Sequence, residues 1–124
     1  RENYRPFAPA VLYEKAQKYF DVSENFECNY MEKVVPVKDK YRKELPGITH
    51  VDGSGRIQTV SKSDNPMFYS IIEEFEKITG YPVVLNTSFN INGEPIVLTP
   101  DDAINTFFNS GLDFLVINNY LIQK

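Results

Sequence analysis

The residues with chemistry to offer are three arginines and a row of uncharged polar groups. Arg1 and Arg5 lie in Arg-Glu-Asn-Tyr-Arg-Pro-Phe-Ala-Pro, and Arg56 follows the glycine-rich stretch Asp52-Gly53-Ser54-Gly55. Arg5 precedes two prolines, each of which holds the residue before it away from helix, and Arg56 stands just past a turn. Guanidinium groups on such stiff backbone suit bidentate binding of phosphate or carboxylate. Their ordinary alternative is an ion pair with a surface carboxylate, since the chain carries 17 Asp and Glu against 13 Lys and Arg. Asn86, Ser88 and Asn90 alternate in Leu-Asn-Thr-Ser-Phe-Asn, just after the apolar run Val83-Val84-Leu85. If the backbone stays extended, all three project to one side. Amides and hydroxyls at the carboxyl end of a buried strand can hydrogen-bond phosphate or a flat polar group. The same residues also suit a loop that bonds its own backbone in Asx and ST turns. The residues alone leave both accounts open.

Other reactive types are sparse. His50 is the sole histidine, so this chain cannot build a histidine-rich metal site. A general-base role is open to it beside Asp52, as is a structural bond to a turn carbonyl. Cys28 is the sole cysteine, which excludes an intrachain disulfide and a thiolate cluster and fits a reducing cytoplasm. Its mixed polar and aromatic surroundings suit a packing role. Glu94, in Gly93-Glu94-Pro95, could set a carboxylate near the polar row or serve as a salt-bridged turn residue. Neither a Walker loop nor a dinucleotide glycine fingerprint occurs.

The elements that must position these groups alternate between strand and helix. A chain of 124 residues fits a single domain, and its formal net charge of −4 with no basic run argues against nucleic acid as partner. It contains no apolar run of membrane-spanning length and no signal-peptide pattern. The opening on Arg1 rather than Met has the look of a segment of a longer protein. Val11, Leu12, Ala16, Tyr19 and Phe20 are spaced for a helix from Pro9. Tyr30 to Val37 has strand composition with a proline that suggests an edge. Lys38 to Glu44 reads as a solvated loop. Ile48–Val51 and Arg56–Val60 read as two strands of a hairpin around the Asp52–Gly55 turn. Asp64-Asn65-Pro66 opens the clearest helix, with Phe68, Ile71, Ile72, Phe75 and Ile78 as its buried face and Gly80 as its stop. Ile96–Leu98 reads as a strand, Thr99 as the cap of a helix with Ala103, Ile104, Phe107 and Phe108 at helical spacing and Gly111 as its close, and Phe114–Ile117 and Tyr120–Ile122 as closing strands. The pattern predicts an α/β domain over residues 1–124, a mixed twisted sheet with flanking helices.

Several of these segments, in order and at matching separations, resemble one family. Arg1 through Pro9, Thr49 through Val60, Leu85 through Asn90 with Gly93–Val97, and Thr99 through Asp113 resemble the carboxyl-terminal domain of the O-carbamoyltransferases of nodulation-factor and antibiotic tailoring. The resemblance implies a YrdC-like α/β domain, normally preceded in the same polypeptide by a larger sugar-kinase-like domain that holds the metal of the transfer step. It implies that the YrdC-like domain binds carbamoyl phosphate and ATP with Mg2+ and forms carbamoyl adenylate. The larger domain then carries out the O-carbamoyl transfer. On matching positions, Arg1, Arg5 and Arg56 would hold phosphate oxygens, while Asn86, Ser88 and Asn90 would contact the nucleotide or the carbamoyl group. Arg5, Arg56 and Ser88 would be the catalytic set. Two departures stand out. The family's lysine just before the position of Arg1 precedes this chain, and Gly53-Ser54-Gly55 replaces a more usual Gly-Thr-Ala.

Adenylate formation asks for charge neutralisation and alignment rather than a protein nucleophile, which suits a chain that offers none. A non-catalytic module that binds nucleotide or steadies its partner domain is the competing expectation. A threonylcarbamoyl-adenylate synthase-like domain is the remoter one.

Overall fold

The structure, a computed structural model, describes residues 5–124; Arg1 lies outside the described residues. The described chain forms two compact units, residues 5–87 and 88–124. Together they comprise a mixed four-stranded sheet, a separate two-stranded sheet and several helices. The expected mixed α/β class holds.

In the first unit, β1 (Ala8–Leu12) is the strand around which the rest is built, buried at every position. The helical spacing from Pro9 is therefore overruled. The chain runs as a strand, then a 3-10 turn (Tyr13–Lys15), then a single-turn helix α1 (Ala16–Tyr19). Five consecutive buried residues need cover on both faces, which a central strand has and a surface helix lacks. The sheet order is β2 (Lys33–Pro36), β3 (Ser54–Val60), β1, β4 (Val83–Asn86). β1 runs parallel to β3 and antiparallel to β4, while β2 is antiparallel to β3. Leu12 N–H donates to Pro82 O (3.3 Å), so Ala8, Ala10 and Leu12 turn their amides towards β4. The missing N–H of Pro9 then falls on the β3 side, just before that ladder begins at Ala10. This is how a proline is accommodated inside a sheet.

On one face Val11, Val35, Ile57 and Val83 pack with Tyr19, Phe20, Val37, Tyr41 and Ile48. On the other, Ala10, Leu12 and Val60 pack with Tyr69 and Ile72 of α3 (Pro66–Thr79). The punctuation of α3 is as expected: the Asn65 side chain accepts from Phe68 N–H, and Gly80 closes the helix at φ 82°. Its buried face is not. Tyr69 and Ile72 are buried, whereas Ile71, Phe75 and Ile78 are exposed. Within residues 5–87 the sheet ends at β4, and no strand of that unit lies under the stripe that looks past its edge.

The expected hairpin is also revised. β3 pairs with β2, and the segment before it forms a 3-10 turn (Pro46–Ile48) with Val51 fully exposed. Lys38–Glu44 is not all loop, since α2 (Asp39–Arg42) lies within it and buries Tyr41. Gly53 sits at φ +83°, a left-handed conformation that favours glycine, with the Arg42 guanidinium alongside.

In the second unit, α4 (Pro100–Phe108) carries a full capping box, Thr99 accepting from Asp102 N–H and Asp102 from Thr99 N–H. No strand forms at Ile96–Leu98. β5 (Phe114–Ile117) and β6 (Tyr120–Gln123) make the two-stranded sheet through the two-residue loop Asn118-Asn119, with Asn118 at φ 52°. Hydrogen bonds from the Thr99 and Leu98 amides hold the Asp102 carboxyl below its ordinary value of 3.8. A depressed carboxylate stabilises the fold above its unfolded value and ceases to as pH falls through the folded one. The cap is thus expected to be intact above pH 3.8 and to weaken only below it. An NMR titration of the Asp102 carboxyl should give a midpoint under 3.8; a midpoint at or above 3.8 would contradict the capping box.

Candidate functional site

The alternation along β3, β1 and β4 sorts the polar groups of the first unit. Ala10 stands beside Gln58 on one side and Val84 on the other, and Ala8 stands beside Asn86. Continuing the parallel register by two residues brings Ala8 level with Arg56, which β2 meets at Val34. Arg56, Ala8 and Asn86 therefore form one row across three strands, with Gln58, Ala10 and Val84 as the next row on the same face. Two interstrand spacings put the backbones of Arg56 and Asn86 about 10 Å apart, with only a methyl group between them. Long side chains reach across that gap. Asn86 Nδ2 donates to Gln58 Oε1 at 2.6 Å, and Gln58 Nε2 donates to Asn29 O at 3.1 Å.

Arg56 is exposed, and among the described residues its side chain makes no ion pair. Arg5 is exposed and precedes β1 by three residues, at the end of the strand where the row lies. Phe7 N–H donates to Gly47 O (2.8 Å) and holds this entry segment against the 3-10 turn. A polar cleft of about 690 Å³ borders the same face, lined among others by Asn29, Tyr30, Gln58, Ser61, Asp64 and Asn65. Gln58 and Asn29 are site residues that sequence reading passed over. The signal was a glutamine two residues after Arg56, at a position of the same parity in the strand.

Ser88 and Asn90 belong to the second unit. Ser88 is exposed. Asn90 Nδ2 donates to Ile91 O (3.2 Å) and Glu94 O (2.9 Å), so its amide hydrogens close the loop around Gly93, as an Asx-type residue does. Its Oδ1 is left to accept. The described positions thus bring Arg56 and Asn86 together, with Arg5 at the same end of β1.

The histidine is turn chemistry. Ser54 Oγ donates to Asp52 Oδ1 at 2.6 Å and stands 3.4 Å from His50 Nδ1, all within five residues. The Ser54 hydroxyl and amide hold the Asp52 carboxyl below its usual range. A serine hydroxyl committed to aspartate is not one activated by histidine. Cys28 is buried, its Sγ donating to Ile57 O at 3.3 Å, and it packs as expected.

The family model for the carbamoyltransferase C-terminus matches residues 1–124. The chain belongs to that family. Nodulation protein NolNO of Sinorhizobium fredii is 49% identical over the whole chain, which covers 18% of that relative. Nodulation protein NolO of Bradyrhizobium diazoefficiens is 46% identical over the whole chain and 23% of its own length. The 3'-hydroxymethylcephem-O-carbamoyltransferase of Amycolatopsis lactamdurans is 36% identical, again over the whole chain and 23% of its own length. This carbamoyltransferase C-terminal chain therefore spans about a fifth of the length of these relatives. No helix of the described residues is long and apolar enough to cross a membrane.

Proposed function

We propose that this carbamoyltransferase C-terminal domain forms carbamoyl adenylate from carbamoyl phosphate and ATP. The carbamoyl group then passes to an acceptor hydroxyl at a site elsewhere in the longer polypeptide. The observation that carries this function is the row Arg56–Ala8–Asn86, an exposed guanidinium and a positioned carboxamide on one sheet face.

The chemistry matches that donor set. Water frees carbamate from carbamoyl phosphate with loss of inorganic phosphate. A carbamate oxygen then bonds to the α-phosphorus of ATP as the bond to pyrophosphate breaks. No protein nucleophile takes part, so the chain has to align two anions and hold their charge. Arg56 and Arg5 would bind phosphate oxygens through N–H groups. Asn86, fixed by Gln58, would donate to a phosphate or carbamoyl oxygen. Arg1 would add a third cation. ATP fits such a set of donors. Mg2+ would come coordinated by the triphosphate and water, which is its usual mode in nucleotide sites; when bound it supplies charge neutralisation. The single, buried Cys28 suits a cytoplasmic enzyme.

The test is pyrophosphate release by the full-length protein. Release is expected only when ATP, Mg2+ and carbamoyl phosphate are all present, and threonine with bicarbonate should not replace carbamoyl phosphate. Tight ATP binding with no pyrophosphate formed would instead establish a non-catalytic module.

A further inference from the structure

We propose that a strand from another part of the full-length polypeptide adds to the open edge of β4, with its apolar side chains lodged between α3 and the Leu45–Ile48 segment. This rests on the carbamoyltransferase reading only in taking the protein to be longer than these 124 residues.

Three observations within residues 5–87 converge on that edge. First, β4 is the last strand of its sheet, and its backbone faces outward at known positions. The Leu12–Pro82 hydrogen bond sets the phase, so Val84 and Asn86 bond inward to β1 while Val83 and Leu85 present N–H and C=O to the outside. Second, this edge carries neither of the two side-chain devices, charge and proline, that discourage pairing. The opposite edge, β2, carries Lys33 and Pro36; β4 reads Val-Val-Leu-Asn, without charge or proline. Third, apolar walls stand on both sides of it. Phe75 of α3 lies on one side and Leu45, Pro46 and Ile48 on the other, and with Val83, Val84 and Leu85 they line a groove of about 490 Å³. Phe75 belongs to an exposed stripe at helical spacing with Met67, Ile71 and Ile78, beside the stripe that α3 already buries. A helix with a second apolar stripe hanging past the last strand is built to cover one strand more.

The relatives supply the source of the occupant. The chain covers 18–24% of the length of the relatives that it matches from end to end, so most of each lies outside the matched region. Strand addition uses backbone hydrogen bonds for affinity and alternate side-chain pockets for choice of partner, and an edge flanked by two apolar walls supplies both.

Hydrogen exchange on the full-length protein reads the edge directly, with fragmentation to single amides. The outward amides of Val83 and Leu85 should be protected to within about 10-fold of the inward Val84 and Asn86 amides, instead of about 100-fold or more below them as at an open edge. Photo-crosslinking from benzoylphenylalanine at position 85, or at the more tolerant exposed position 75, should capture a peptide outside these 124 residues. Unprotected outward amides would overturn the proposal. So would a crosslink to a peptide within these residues, or to a second copy in a mixture of isotopically light and heavy protein. Because neither readout involves pyrophosphate release, failure here leaves the carbamoyl-adenylate reading untouched, and the reverse holds.

Discussion

Arg56→Ala in the full-length protein is expected to lower carbamoyl-phosphate-dependent pyrophosphate release by about 10²–10³-fold, the usual loss when one preorganised donor to developing charge is removed. The reasoning is positional. Arg56 sits on the seven-residue strand β3, whose neighbours on both sides are fixed by ladders to β1 and β2. Its guanidinium is therefore carried by rigid backbone at no cost in loop ordering. Its side chain is exposed, and among the described residues no ion pair with a carboxylate involves it. The same exposure predicts that stability hardly changes, since surface substitutions away from special features stay within about 0.5 kcal/mol. Arg56→Lys keeps the charge and loses the fork, and should recover only part of the activity. A structural arginine would behave in the opposite way, with a lowered unfolding midpoint and unchanged turnover per folded molecule. Full activity in Arg56→Ala would remove the row from the mechanism.

Phe20→Ala is the substitution expected to cost most stability, about 3–5 kcal/mol as judged from other buried aromatic truncations. Phe20 is 0% exposed. Its backbone is pinned by an N–H bond to Ala16 O and a bridge to Val37. Its ring edge lies 3.7 Å from where a Cβ on Gly55 would stand, directly beneath the residue that precedes Arg56. The cavity left by alanine would sit under the strand that carries the guanidinium, with little freedom to collapse because Tyr19, Val37 and Ile57 are held by the sheet and its turns. Urea denaturation should show a lower midpoint at unchanged slope. A loss under about 1 kcal/mol would mean that the ring is not a core group, contrary to its burial.

How much of this was legible in advance varies with the kind of signal. Local punctuation was read well. Asn65-Pro66 and Gly80 bound α3, and Thr99 with Asp102 caps α4, because capping is a bond between near neighbours that any packing must respect. Periodicity failed at β1. Ala8–Leu12 followed by Ala16, Tyr19 and Phe20 mimics a helical stripe, yet the run is a doubly covered strand, a fact that depends on what lies above and below it. It failed again on α3, where the exposed Ile71, Phe75 and Ile78 match the pattern of a core face as well as the buried residues do. The candidate site was half legible. Arg56 and Asn86 stood out by type, whereas Gln58, which joins Asn86 to Asn29, looked like one more polar residue of an amphipathic strand.

By itself the sequence determined the family, the α/β class and the caps of α3 and α4. These follow from residue type and near-neighbour chemistry, which need no knowledge of the rest of the chain. Only the tertiary structure decided that β1 lies between β3 and β4, since pairing of strands far apart in sequence is set by which faces can be buried together. That pairing puts Arg56 and Asn86, 30 residues apart in the chain, on either side of Ala8, and it makes β4 the last strand of the sheet among the described residues.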